Sequence, residues 1–429
     1  MRNILVRKLN SNPNYTKVYE WGKILTITGS AQIIVQLIGV ASGILIIRLL
    51  PTEEYALYTL ANTMLGTMTI LADGGIATGV MSEGGKVWQD RTQLGAVLAT
   101  GLDLRKKFAI ANLIVAIPVL FFLLRHHEVS SLMSSLLILS LIPAFFTALS
   151  GTILEVAPKL KQDVAPLQRI QLFTGFGRLV LLTSTVFIFP FAYLAILASS
   201  IPQIWANLRV RRISSVYADD RQAPQSNIRR AILVSVKRIL PMSIYYCFSG
   251  QITIFLLTFF GTTTSIAQIG ALGRLSMMLN VISVVFGVII VPRYSRMPSN
   301  RSLLLNWYLI IHLGMFIFSA ILLLFVWIFP HQVLWILGKN YSQLTDEVFL
   351  NFAASCLNLI AGVSFSLYSH RGWVMKSLPG ISIGLGGIIC GILLFDFSSL
   401  NGILMFNVFI GGIGVIVNFV HGVRKIWAV

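Results

Sequence analysis

Twelve apolar runs of about 18 residues or more succeed one another along this chain, and that alternation constrains its fold more than any other feature. In hydrocarbon a single segment satisfies its own backbone hydrogen bonds only as a helix, so each run is predicted to cross a bilayer as one. Their approximate limits are 24–47, 55–82, 107–124, 131–155, 168–189, 190–207, 239–260, 264–291, 303–330, 346–369, 376–395 and 402–423. With 56% of residues hydrophobic and 11% charged, 429 residues could not cover a water-soluble surface. An all-α integral membrane protein with about twelve transmembrane helices is expected. The tightest break is Phe189-Pro190, and fusing the runs on either side of it would leave eleven spans.

Charge tests that division. Of the 33 Lys and Arg, 28 fall in segments that twelve spans place on one side of the membrane, three (Arg48, Arg125, Lys339) fall on the other, and two (Arg178, Arg274) lie within spans. Cations collect on the cytoplasmic side, so both termini are expected there; eleven spans would split the basic segments between the two sides. The net charge of +18 is thus a topology signal, and nucleic acid is not an expected partner. The first apolar run is too long for the core of a signal peptide, so no cleavage is expected. Cys247, Cys356 and Cys390 lie in apolar stretches without metal or redox spacing.

The longest polar stretch, 208–238, divides the chain into six-helix lobes at 1–207 and 239–429 joined by a basic cytoplasmic linker. Ile228, Ile232, Leu233, Val236 and Leu240 alternate there with Arg229, Arg230, Lys237 and Arg238, as in a helix lying on anionic headgroups, although a solvated linker that anchors topology is the plainer reading. Displacing the chain by 214 residues lays Tyr55–Leu65 over Ile269–Leu279, a faint echo of duplication that would place a substrate path between the halves.

Catalytic constellations are missing: the outside loops are short, His126-His127-Glu128 lacks the spacing of a zinc pair, and no phosphate-binding or dinucleotide loop occurs. No enzyme, resident cofactor or metal is expected. Arg178 and Arg274 each lie about ten residues from a span end, near the midplane, where an arginine cannot shed its proton and must face a partner or a wet cavity. Fixed cations suit an anionic substrate; pairing with Asp73 or Glu155 is the structural alternative. Stripes at helical spacing, Thr28, Gln32, Gln36, Gly39 and Gly43, then Asn62, Gly66, Thr69 and Asp73, avoid lipid and could line a lumen or join helices. Gln251, Gln268 and Asn280 extend the same idea into the second half. Asp73 is a candidate for coupling to a proton or sodium gradient, with an interfacial carboxylate as the plainer reading.

Four segments in order resemble the bacterial polysaccharide flippases of the MOP (multidrug, oligosaccharidyl-lipid, polysaccharide) superfamily: Ile46–Leu65 with its Arg-Leu-Leu-Pro turn, acidic pair and aromatic helix start, Ile266–Leu279, Gly287–Met297, and Val333–Leu350 with its Leu-x-Gly-x-x-Tyr. Ala56 stands where a glycine is usual, and one residue is missing before Pro51. The resemblance implies a MATE-like fold in the bacterial inner membrane. It also implies alternating-access transfer of a polyprenyl-pyrophosphate-linked oligosaccharide, alongside membrane lipids and other glycan-assembly membrane proteins. Arg274 and Arg48 best match its cavity cations, and Arg178, Gln32, Gln36, Asn62, Gln251 and Asn280 complete the candidate substrate contacts; Arg48 equally suits a snorkelling anchor. The competing expectations are an exporter of small organic solutes and, further off, a membrane enzyme of glycan polymerisation or ligation.

Overall fold

The structure is a computed structural model that describes residues 32–295, 297–371, 373, 375 and 377–428. Thr28 and most of the basic N-terminal stretch lie outside the described residues. Within them the elements are helical, with no strand. The first half comprises α1 (Gln32–Leu49), α2 (Thr52–Asp73), α3 (Ile76–Lys86), α4 (Arg91–His126), α5 (Ser131–Leu154), α6 (Val156–Leu160), α7 (Ala165–Ile188) and α8 (Ala192–Tyr217). The second comprises α9 (Ser226–Phe260), α10 (Thr263–Ser276), α11 (Leu279–Ser295), α12 (Arg301–Ile328), α13 (Pro330–Trp335), α14 (Thr345–Ser369), α15 (Ser377–Leu394) and α16 (Leu400–Trp427).

Ten segments among the described residues are long and apolar enough to cross a membrane. The other two of the expected twelve are present as helices below that mark. Ser199, Ser200, Gln203 and Asn207 dilute α8, and the apolar part of α15, Pro379–Leu394, is short. The chain does break near Pro190, between Ile188 and Ala192. The backbone N–H of Ala192 donates to the Glu54 carboxylate at 2.7 Å, so one member of the acidic pair caps the helix that follows the break.

Three boundaries differ from expectation. The second run divides after Asp73, where Gly74 (φ 46°) and Gly75 (φ 93°) take left-handed backbone that a side chain would strain. The eighth divides at Met277 and Met278, directly after Arg274. The third begins at Arg91 rather than 107, because Asp90 caps Thr92 and Gln93 and an amphipathic stretch through Leu104 extends the helix beyond the apolar run.

The 208–238 stretch is mostly helical, with only 218–225 outside α8 and α9. Its apolar face does not lie on lipid. Ile232 and Val236, 0% and 3% exposed, pack with Ile76, Val80, Leu94 and Val97 of α3 and α4, and Arg229 pairs with Asp103 at 2.7 Å. Protein contact buries Ile232 and Val236 and partly covers Ile228, Leu233 and Leu240, so the centre of that face is packed on protein. The same cluster shows α9 packing at its start on the first half, while α14 packs most extensively on α16, and α5 and α7 on α8.

Candidate substrate cavity

A cavity of about 500 Å³ opens between α1, α2, α5, α7 and α8, with one side chain, Arg274, reaching it from α10. It runs lengthwise: lining positions extend from Leu167 to Leu182 on α7 and from Ile196 to Val210 on α8, about 20 Å at 1.5 Å per residue. Its walls follow helical arithmetic. Gln171, Thr174 and Arg178 on α7, and Ser199, Gln203 and Asn207 on α8, recur at steps of three and four.

These polar groups are oriented by their own helices. Thr174, Ser199 and Ser200 donate their hydroxyl protons to Ile170, Ala195 and Ile196 carbonyls at 2.7–2.8 Å. Asn207 donates to the Thr147 carbonyl at 2.7 Å. Hydroxyl oxygens committed as donors to the backbone face the cavity as acceptors, so donors must come from elsewhere. The two arginines supply the charged ones, beside the Asn62 and Gln171 amides and the Tyr58 phenol.

Arg178 and Arg274 take part in none of the ion pairs among the described residues. The Arg178 Nε is buried without a hydrogen-bond partner. Arg274 lies beside the Tyr55 and Tyr58 side chains and donates one weak contact to the Met277 sulfur at 3.5 Å. Space for both comes from α1. A methyl carbon built on Gly43 would stand 2.9 Å from Arg274 Cδ, and one on Gly39 3.9 Å from an Arg178 terminal nitrogen. Two uncompensated guanidiniums therefore meet one cavity, alongside a single carboxylate, Glu155, whose charge is answered by Lys159 at 2.7 Å.

The remaining expected residues are elsewhere. Asn62 lines the cavity; Gln32, Gln36, Gln251 and Asn280 do not. The lining face of α1 is Val35, Gly39, Ser42, Gly43 and Ile46, so the glutamines lie just off it. Asn280 is exposed where α10 gives way to α11, and Gln251 lies in the C-terminal third of α9. Arg48 is outside the cavity, because two carbonyls and a ring capture its fork first. It donates to Ile336 O at 2.9 Å and Trp335 O at 2.5 Å, and stacks 4.8 Å from the Trp335 ring centre, fastening α1 to the end of α13 and the segment after it. Tyr341, farther along that segment, packs edge-on to Tyr55 at 6.4 Å, and Tyr55 stacks on Tyr58 at 6.3 Å. Segments that lie far apart in the sequence thus converge at one end of the cavity, next to Arg274.

Asp73 forms an ion pair with Arg105 of α4, whose guanidinium also donates to Leu149 O and the Thr152 hydroxyl. It pairs with neither cavity arginine, and it does not line the cavity. His127 is half-buried, with its Nδ1 3.3 Å from the Thr263 hydroxyl.

Comparison with known proteins decides the fold. The chain matches an inward-facing multidrug resistance MATE family transporter of the MOP superfamily with a TM-score of 0.73, at 16% identity, over 92% of this chain and 95% of that one. This is a MATE fold. An outward-facing member matches at 0.63, with 16% identity over 95% and 96%. A MOP superfamily transporter from Pyrococcus furiosus, reported to have a binding pocket of reversed polarity, matches at 0.58, with 15% identity over 95% and 96%. No family model matches the chain, and no curated protein matches it by sequence.

Proposed function

We propose that the chain is a membrane transporter of the bacterial inner membrane that moves an anionic amphiphile, a polyprenyl-pyrophosphate-linked oligosaccharide, from the inner to the outer leaflet. The observation that carries this reading is the pair of arginines without carboxylate partners, Arg178 and Arg274, on one elongated cavity whose other polar lining groups are mainly hydroxyls and amides set among aliphatic side chains. A pyrophosphate accepts several charge-assisted hydrogen bonds from guanidinium forks, and sugar hydroxyls complement acceptor oxygens on α7 and α8. About 500 Å³ accommodates the pyrophosphate and the first sugars, while the polyprenyl chain stays in the bilayer. The lobes 1–207 and 239–429, with 208–238 between them and both termini cytoplasmic, would rock about the cavity. The Arg48 and Tyr341 contacts close its outer end, in keeping with an inward-facing state.

A second reading has its own support: MATE transporters of this fold include multidrug resistance proteins, and a cavity of this volume also suits a drug-sized solute. Cavity charge separates the two, since a cationic drug would meet two fixed cations.

The test is the leaflet distribution of the lipid-linked glycan in cells lacking the protein, then restored with it or with Arg274→Ala. Cytoplasmic accumulation cleared by the parent but not by the variant, at equal amounts of folded protein, is the expected result. An undisturbed glycan pool would remove the reading.

A further inference from the structure

The second half buries a titratable group that the cavity does not use. His312, on α12, is 2% exposed, yet both of its ring nitrogens are engaged: Nδ1 lies 2.7 Å from the Tyr308 carbonyl and Nε2 2.7 Å from the Ser364 hydroxyl on α14. A carbonyl only accepts, so Nδ1 carries a hydrogen. The Ser364 oxygen also lies 2.9 Å from the Ile360 carbonyl, and its one proton can be given to that carbonyl or to Nε2 but not to both.

Two complete hydrogen-bond patterns follow. With the imidazole neutral, Ser364 donates to Nε2. With a proton added at Nε2, the imidazolium donates to Ser364 Oγ, and the hydroxyl turns to Ile360 O. Neither pattern leaves a buried polar group unanswered, which is uncommon for a buried histidine and is what a reversible proton site requires. The ring is flanked by Tyr308 at 4.2 Å and Phe419 of α16 at 4.9 Å, aromatic surfaces that tolerate a cation.

We propose that His312 and Ser364 form a proton-binding site of the second half, loaded and emptied through Nε2 only when α12, α14 and α16 part. Burial supplies that condition, because water reaches the ring in no other way. The groups facing the site from adjoining helices are uncharged or already committed. Tyr294 comes from α11, and Tyr368 of α14 donates to Asn418 at 2.7 Å. His421 of α16 contacts the Trp373 carbonyl at 2.8 Å, and the Arg371 guanidinium is held on the carbonyls of Tyr294 and Met297. The acids of α14, Asp346 and Glu347, sit in its first turn, far from Ser364. A proton arriving at Nε2 is therefore not cancelled by a neighbouring carboxylate, and it adds one charge to the helix packing. This inference does not depend on the substrate.

The test is nitrogen-15 histidine NMR of the full chain in nanodiscs, titrated without substrate, with His312→Gln identifying the resonance by its loss. Should that variant fail to fold, glutamine substitutions at the other five histidines identify it by elimination. The expected result is conversion of a neutral, Nδ1-protonated ring to imidazolium on acidification, before the protein unfolds and in slow exchange. Ser364→Ala is expected to lower its proton affinity about tenfold, since the cation loses the stronger hydrogen bond. A ring that stays neutral down to acid unfolding, or a midpoint unmoved by Ser364→Ala, would overturn the proposal and leave a structural hydrogen bond.

Discussion

The close approach of α1 to Arg274 can be measured as an energy. Gly43→Ala adds a carbon 2.9 Å from Arg274 Cδ and 3.5 Å from its Nε, whereas nonbonded carbons rest at about 3.5–4.0 Å. The arginine stem must retreat by roughly 0.6–1 Å, which as overpacking costs about 1–3 kcal/mol. Against this, alanine is the better helix former by about 1 kcal/mol. In the parent the substitution should therefore be close to neutral or destabilising by up to about 2 kcal/mol, and in an Arg274→Ala background it should stabilise by about 1 kcal/mol. The difference, a coupling of about 1–3 kcal/mol, is read from a double-mutant cycle of unfolding midpoints in mixed detergent micelles. Gly39→Ala is the control, because its new carbon meets Arg178 at an ordinary 3.9 Å and no coupling is expected. Equal effects of Gly43→Ala in both backgrounds would refute the idea that the glycine exists to admit Arg274.

Three further outcomes are expected. Asp73→Ala strands Arg105, 3% exposed, without its carboxylate, and should lower stability toward the small end of the roughly 3–5 kcal/mol of a broken buried pair, since Asp73 is itself partly exposed; unchanged unfolding would show that the pair is incidental. Arg48→Ala removes the fastening to Trp335 and Ile336, worth about 1 kcal/mol at an exposed site, so a cysteine placed at Asn62 should label about fivefold faster from outside. The Asp219 carboxyl, in the 218–225 connection, is held below its usual range by the Gln222 amide and the Arg221 backbone N–H. A depressed carboxylate stabilises above its unfolded value of about 4 and loses that contribution as pH falls through the lower folded value. Proteolysis of the connection should consequently rise only below about pH 4, and Asp219→Ala should abolish the step.

Much of the membrane architecture was legible because hydropathy and charge are additive along the chain: the break near Pro190 and the two arginines inside apolar helices follow from them directly. Positions set by partners were not. Gln32 and Gln36 share a stripe with Gly39 and Gly43, yet the face that meets the cavity is rotated to Val35, Ser42 and Ile46, a choice made by neighbouring helices. Arg48 has the sequence character of a cavity cation, but the acceptors that claim it lie nearly 290 residues away. The α7 and α8 stripes, Gln171-Thr174-Arg178 and Ser199-Gln203-Asn207, have a clean helical period and could have been found by the scan applied to α1 and α2. The basic connection was misplaced because an amphipathic pattern shows that a face is buried without saying whether protein or lipid buries it.

The Arg48 fastening leaves an uneven evolutionary record. Both of its hydrogen-bond acceptors are main-chain carbonyls, present whatever side chain position 336 carries. Drift at that position would go unopposed, while Arg48 could not change, and Gly338, whose φ of 103° disfavours any side chain, would resist replacement too. Methods that infer contacts from paired substitutions would find little signal across this junction, although it ties α1 to a segment of the second half. Descendants could diverge freely in the outer segment and still inherit the same closure.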